Sequence, residues 1–542
     1  MTEATGVLAG ERGWERPAAL SRRGYMLLCL AVFALATLPL WFAAFPPLHD
    51  YPFHLARMAV LDDLLNGGPR AAFYDWNTLL LPNLAMDAVV LALAQVMPVQ
   101  VAGRVFVWLT LGGMFAGTIA LHRVLHGRRS LVPLAAALLL FNWIFLMGFL
   151  NYLFGVALLL WGLVLHLRLR ERAAWLRLAV GTLTGLALFF AHFVALMLYA
   201  IVVGGLELRA AWPLWRAARR IAWRDLVLGG LPFLAPAALF LLGSPTAQEA
   251  GKRISYHEGQ VFIPARAVLH KVEHLLKAPL SGDLMVDGIG AVIVAFGITV
   301  MLRLARVTLA PALRWGLAAI AALYFVAPWG LFGGWFLDAR MPIVAGLLLI
   351  AMLRVEFRSA AWRQIALAGL VALLAGRAVG LSLTWAEADR TIQRVAAAQA
   401  LVPDGSVLFA AIGGEFKERS YAENWQPPLR HIATLAMANA PVFVPATFAL
   451  ASQHSMVVNA RYAPLQELQT ADPWEMQTRE DLISAVRVLR RYGREGRLPP
   501  VPPGTPIAYL FLLHPKGVGL DVAGVRVLAR EPRFVLLAIE PE

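Results

Sequence analysis

The stretch His49-Asp50-Tyr51-Pro52-Phe53-His54-Leu55-Ala56-Arg57 places an acid, two imidazoles and a guanidinium directly after the first membrane-length apolar run. Groups of this kind are costly near a bilayer and mark either a site or a contact with lipid headgroups. If Asp50 caps a helix entered through Pro52, then Asp50, His54 and Arg57 follow i, i+4, i+7 spacing and share one face. That face lies at the membrane surface and points either into a cleft or at headgroups. A carboxylate within reach of a hydroxyl can take its proton, and Asp50 is the candidate general base. As a helix cap the same carboxylate would contribute about 1 kcal/mol, and one residue can serve both ends.

The elements that must position this segment follow from composition. The chain is 542 residues long, 59% hydrophobic and 15% charged, which describes an α-helical polytopic membrane protein rather than a soluble enzyme. Its formal charge is +14, and all but five of its 48 basic residues are arginine. Those arginines recur in short clusters between apolar runs, whereas nucleic-acid binding needs a basic face with aromatic or groove-reading partners. They read as topology signals, and nucleic acid is excluded as a partner.

The run Tyr25 to Phe45 follows Arg12, Arg16, Arg22 and Arg23, so residues 1–24 form a cytoplasmic N-terminal segment before an uncleaved anchor. Further runs near 102–121, 131–148, 151–167, 176–191, 193–208, 225–243, 286–302, 312–330, 341–353 and 364–384 bring the transmembrane domain, 25–384, to about eleven helices. The stretch 176–208 is divided at Ala191-His192, since about thirty residues exceed one crossing. With this division every second loop is arginine-rich, from Arg123/Arg128/Arg129 to Arg354/Arg358/Arg363, as cytoplasmic loops should be. The only cysteine, Cys29, lies in the first span, so the other face has no disulfide available.

The opposite face then carries the loop 46–100, a polar loop at 244–285, a turn at 331–340 and the tail. Within the first loop, Pro52 to Leu65 reads as an amphipathic helix ended by Gly67-Gly68-Pro69, and Pro82 to Met97 as a second helix. Asn83 and Asp87 share a face of the second, and Asp87 can complement His54 or Arg57. The polar loop holds Ser255-Tyr256-His257-Glu258-Gly259-Gln260, then His270, Lys271, Glu273 and His274. It reads as a solvated loop with surface ion pairs, or as a lid that orders over substrate.

Beyond residue 385 the hydropathy changes from continuous apolar runs to short segments. Strands are expected at Val407–Ile412, Ile507–Leu513, Val525–Leu528 and Phe534–Ile539, and helices at 386–400, 429–438 and 479–492. Residues 385–542 therefore read as a small α/β soluble domain on the outer, periplasmic face, for acceptor binding or for support.

The order of these elements resembles the C-type (GT-C) polytopic membrane glycosyltransferase superfamily, in particular its protein mannosyltransferase and aminoarabinose transferase branches. The resemblance rests on Asp50 at the loop start, the helix beginning Pro82-Asn83-Leu84-Ala85-Met86-Asp87, and Arg104 leading to the span that ends at His122-Arg123-Val124-Leu125-His126-Gly127-Arg128-Arg129. It covers roughly residues 20–385. It implies transfer of a sugar from a lipid-linked sugar phosphate on the outer face of the membrane, with Asp50 in the position of the family's first-loop base. Where many members carry a second acid in the loop at 142–151, this chain has Asn142 and Asn151.

The residues themselves are consistent with that chemistry. A hydroxyl attacking an anomeric carbon needs a base, and a leaving phosphate departs without protonation but needs cationic donors. Arg57, Arg340 and Arg377 are the candidates for the phosphate, Arg377 because it interrupts the last span. For Arg340 a local contact with Asp338 or snorkelling to headgroups is the competing role. His49, His54 and His192 are candidate substrate contacts. No metal-ligand spacing such as His-Glu-x-x-His is present, so no cofactor is expected, a divalent cation being the less favoured alternative. The expected partners are a lipid-linked sugar donor, membrane lipids and an acceptor of undetermined identity, in the inner (cytoplasmic) membrane. A non-enzymatic lipid or polysaccharide exporter or assembly protein on the same scaffold is the alternative, but a transporter should show repeated halves, and no clear internal repeat is found.

Overall fold

In hydrocarbon only a backbone that satisfies its own hydrogen bonds is tolerated, so the long apolar runs fold as helices. The computed structural model describes residues 21–219, 223–245, 264–281, 283–331, 334–413, 429–469 and 473–542. The Ser255–Gln260 stretch, Arg12 and Arg16 lie outside the described residues. The first half contains α1 (Arg22–Ala36), α2 (Tyr51–Asn66), strand β1 (Tyr74–Trp76), α3 (Ala85–Ala94), α4 (Val99–His126), α5 (Trp143–Leu146), α6 (Leu150–Leu169), α7 (Ala174–Ala191), α8 (Phe193–Ala218) and α9 (Trp223–Gly243). Then come α10 (Pro264–Lys277), α11 (Leu284–Leu304), β2 (Ala305–Leu309), α12 (Arg314–Val326), α13 (Leu337–Met352), β3 (Leu353–Phe357) and α14 (Ala360–Gln399).

Among the described residues, seven helices (α4, α6, α7, α8, α9, α11 and α14) are long and apolar enough to cross a membrane. The chain is a multi-pass membrane protein. Four of the expected spans are shorter or broken. The first run ends as the 15-residue α1 and continues as a 3-10 turn at Leu38–Trp41, where Pro39 lacks the N–H a helix needs. The 131–148 run is a 3-10 helix over Val132–Leu139 followed by α5, which begins where the Asn142 side chain accepts the Phe145 N–H at 2.9 Å. The runs 312–330 and 341–353 become α12 and α13, of 13 and 16 residues. At about 1.5 Å per residue these fall short of a hydrocarbon core of about 30 Å.

Helices α7 and α8 separate at His192, whose backbone is extended and whose Nδ1 accepts the Val194 N–H at 3.1 Å. Helices α4 and α6 run parallel at close approach, Gly113 and Gly117 facing Ala157 and Leu160. Their arginine-rich ends therefore lie together. Strands β2 and β3 pair antiparallel beyond α11 and α13, and Arg128 after α4 lies 3.6 Å from Glu356 of β3. After α6, Arg170 donates to Glu207 of α8 at 2.8 Å. These basic loops gather at one end of the bundle.

The tail contains β4 (Leu408–Gly413), α15 (Leu435–Asn439), β5 (Met456–Val458), α16 (Ala463–Leu468), β6 (Trp474–Met476), α17 (Arg479–Arg494), β7 (Ala508–Leu513), β8 (Val525–Glu531) and β9 (Phe534–Ile539). Its five-stranded sheet has the order β6-β4-β7-β9-β8. Strand β4 is parallel to β6 and β7, and β9 is antiparallel to β7 and β8. Strands β4, β7 and β9 are buried along their whole length, as the unbroken apolar runs require. Helix α17 starts with a capping box between Thr478 and Asp481. Strand β5 of the tail pairs antiparallel with β1 of the first loop, Asp75 opposite Val457. Short, isolated strands of three residues leave no hydropathy signal strong enough to announce this pairing.

Candidate functional site

The segment before α2 lies on the turn after α5. The backbone N–H groups of His49 and Asp50 donate to the carbonyls of Leu146 and Met147 at 2.8 and 3.2 Å. Gly148 takes a φ of +82°, and a Cβ there would lie 2.8 Å from the Asp50 nitrogen, so both conformation and space require glycine. Its carbonyl accepts from His54 Nε2 at 3.0 Å.

Asp50 stands at the N-cap position of α2, but its carboxylate accepts no capping hydrogen bond. Two reasons are local. The second helical residue is Pro52, which has no N–H to offer, and Asp50 has φ −92° and ψ −3° rather than the extended backbone of a capping residue. The carboxylate is instead 20% exposed, with Oδ1 3.8 Å from Nε2 of the buried His431. Burial pushes its carboxyl up to about 7, against the pull of Arg340 and Arg57. Burial, with Arg430, pushes His49 down to about 4. Burial, with Arg57, pushes His54 down to about 3 against its bond to Gly148. Both imidazoles are therefore neutral near pH 7, and among the described residues the buried His54 Nδ1 has no hydrogen-bond partner.

One turn further along α2, Arg57 is 1% exposed and donates from Nε and an Nη to Asp87 Oδ1 at 3.2 and 2.8 Å. The contact between α2 and α3 suggested by helix phase is thus present, and Ser455 from the tail donates to the other Asp87 oxygen. This geometry matches the Arg57 charge inside the protein and leaves it little freedom to receive a phosphate. Arg57→Leu is expected to destabilise the fold by about 3–5 kcal/mol, because Asp87 is left buried and unpaired. Thermal unfolding in detergent measures this, and the double variant Arg57→Leu/Asp87→Leu should recover most of the loss. A single variant as stable as the double would refute the pairing argument.

Arg340 sits in the first turn of α13. Its guanidinium donates to the Trp335 carbonyl at 3.0 Å and contacts His192 Nε2 at 2.8 Å, and it lies 4.5 Å from the Phe149 ring centre. Its Nε is buried without a partner, and among the described residues no carboxylate lies within ion-pair distance of it. The alternative local contact with Asp338 is absent because Asp338 is taken by Lys271 of α10, Nζ to Oδ2 2.5 Å, in a fully buried pair. Lys271 is consequently a buried anchor rather than part of a solvated loop, whereas Glu273 and Lys277 do form a surface pair. The ring nitrogens of His192 lie 3.1 Å from the Val194 nitrogen and 2.8 Å from an Arg340 Nη, and a neutral imidazole accepts from only one of these N–H groups. His192 thus packs directly against Arg340.

The asparagines of this region hold helices. Asn83, at φ +72°, accepts through its carbonyl from Asn151 at 2.5 Å, and Asn151 accepts the Met86 N–H at 2.8 Å, which ties α3 to α6. Arg377 is not delivered to the Asp50 group. It donates to the carbonyls of Leu138 and Phe141, which the broken 131–148 run leaves without helical partners, and to that of Pro279 after α10, at 2.7 Å each, and it lies 3.7 Å from Asp287 of α11. A charge inside a span here satisfies backbone, which hydropathy cannot distinguish from a ligand site.

The tail contributes residues that no sequence signal marks. His431 lies edge-on to His49 at 4.9 Å between ring centres, and His454 lies edge-on to Phe53 at 5.5 Å. One ligand atom from each of His49, Asp50 and His431 lies within 4.8 Å of the others, a donor set suited to zinc, manganese or iron. Arg340 and Arg57 act on Asp50, and Arg430 acts on both imidazoles, with the Arg57 charge matched by Asp87.

No protein-family model and no curated protein matches the sequence. Among solved structures, the crystal structure of ArnT from Cupriavidus metallidurans bound to undecaprenyl phosphate is similar, with a TM-score of 0.50 at 12% identity over 96% of this chain and 100% of that one. The arabinofuranosyltransferase AftD from Mycobacteria aligns with a TM-score of 0.40 at 15% identity, over 97% of this chain and 40% of that one. The first likeness spans the membrane helices and the tail together. This chain has the fold of the C-type polytopic membrane glycosyltransferases.

Proposed function

We propose that this protein is a membrane glycosyltransferase that moves a sugar from a polyprenyl-phosphate-type lipid donor to an acceptor hydroxyl on the outer face of the cytoplasmic membrane. The observation that carries the reading is Asp50: a carboxylate relieved of any capping role, partly open, and influenced by Arg340, which among the described residues has no carboxylate within ion-pair distance. Asp50 takes the proton of the acceptor hydroxyl as its oxygen attacks the anomeric carbon. The bond from that carbon to the phosphate oxygen breaks, and its electron pair leaves with the lipid phosphate. Arg340 receives the phosphate with its guanidinium held by the Trp335 carbonyl and the Phe149 ring, beside His192. The similarity to a structure with bound undecaprenyl phosphate supports a lipid of this class. The reaction so written needs no metal ion.

Arginine-rich loops on the cytoplasmic side orient the site, residues 46–100 and 385–542 outward. The test is transfer of labelled sugar from a synthetic polyprenyl-phosphate sugar by the full-length protein in nanodiscs. Movement of intact lipid-linked glycan across vesicles without any transferred sugar would instead identify an exporter.

Activity should rise with pH. The base must be ionised, and Asp50 titrates at about 7, so the rate is expected to increase roughly tenfold per unit below pH 7 and to level above it. A profile flat from pH 5 to 8 would remove Asp50 from the role.

A further inference from the structure

His431 precedes the 3-10 turn Ile432–Thr434, and its carbonyl accepts from the Thr434 hydroxyl at 2.7 Å, which fixes the backbone under the ring. The ring is 5% exposed and lies edge-on to two others, His49 at 4.9 Å and Phe448 at 4.8 Å between centres. One of those neighbours comes from the first loop and one from the tail. Held between them, Nε2 faces Asp50 Oδ1 at 3.8 Å. An apolar side chain would pack in this position, yet a polar ring is buried here and aimed at a carboxylate that stands at a helix start without capping it.

We propose that His431 is a positioning residue for Asp50: its Nε2–H closes onto Oδ1 when substrates fill the site, leaving Oδ2 to take the acceptor proton. The proposal rests on the reading of Asp50 as the base. Separations of this kind commonly tighten only in the reactant complex. His431 keeps its own proton throughout; the hydroxyl proton ends on Asp50, and the electron pair of the broken bond leaves with the phosphate. His431 is not the proton's destination, because burial, His49, Arg430 and His54 hold it neutral. The other charged and titratable groups around Asp50 are Arg57 and His54 of α2, His49, and Arg340 of α13. An N–H donated to the ionised carboxylate favours that form, so the tail becomes part of the catalytic unit.

The test compares His431→Ala, His431→Gln and Asp50→Asn in the full-length protein with a synthetic polyprenyl-phosphate sugar. For His431→Ala, kcat at pH 7 is expected to fall about 10- to 100-fold with KM for the donor within about twofold, and the acid limb to move up by about one pH unit, so that the deficit shrinks by pH 9. His431→Gln keeps an N–H donor and should recover most of the rate. An unmoved acid limb in His431→Ala, or His431→Gln as poor as His431→Ala, overturns the positioning role while an inactive Asp50→Asn keeps the base. An active Asp50→Asn overturns the base reading itself.

Discussion

Asp50→Asn should lose transfer activity by a factor of about 10²–10⁴ and yet unfold at a temperature equal to or above that of the unmodified protein at pH 8. The two halves of this result have one cause. A carboxyl whose pKa is raised from 3.8 to about 7 by burial is held protonated by the fold, so its contribution to stability falls as pH rises from about 4 through about 7. Above pH 7 the ionised group opposes folding, and asparagine removes that opposition. Because the side chain makes no capping bond, the substitution removes nothing from α2. A residue kept for chemistry at the cost of stability behaves in this way. Retained activity would sink the assignment, and a large drop in unfolding temperature would show that Asp50 supports the fold instead.

Replacement of Arg340 should be nearly as damaging. Arg340→Met is expected to reduce kcat/KM for the lipid donor by about 10²–10³-fold, the range seen when a fixed charge-stabilising donor is removed. Lysine should restore little, since it lacks the planar fork that reaches His192, the Trp335 carbonyl and a phosphate together. With no carboxylate partner within ion-pair distance among the described residues, Arg340 is not an essential half of a buried pair, unlike Arg57. Stability should therefore change far less in Arg340→Met than in Arg57→Leu. The acid limb should also shift upward, because Arg340 lowers the Asp50 pKa. Donor kinetics unchanged in Arg340→Met would transfer the phosphate role elsewhere.

Residue types and spacing alone determined much of this protein. Its polytopic membrane class, the break at His192, the match of Asp87 to Arg57, and the four longest strands of the tail sheet all follow from local patterns. These are properties of short windows, in which hydropathy and helix phase act directly on the backbone. The tertiary structure decided which polar groups meet. It removed Asp50 from capping, gave Arg377 to the open carbonyls of a broken helix, turned Lys271 inward to Asp338, and freed Arg340 for His192. It also brought His431 and Ser455 of the tail to Asp50 and Asp87 of the first loop. None of these was legible earlier, because a membrane helix is apolar on every side and its sequence does not say which face meets lipid and which meets protein. Contacts between such faces, and between segments hundreds of residues apart, are chosen only when the whole bundle packs.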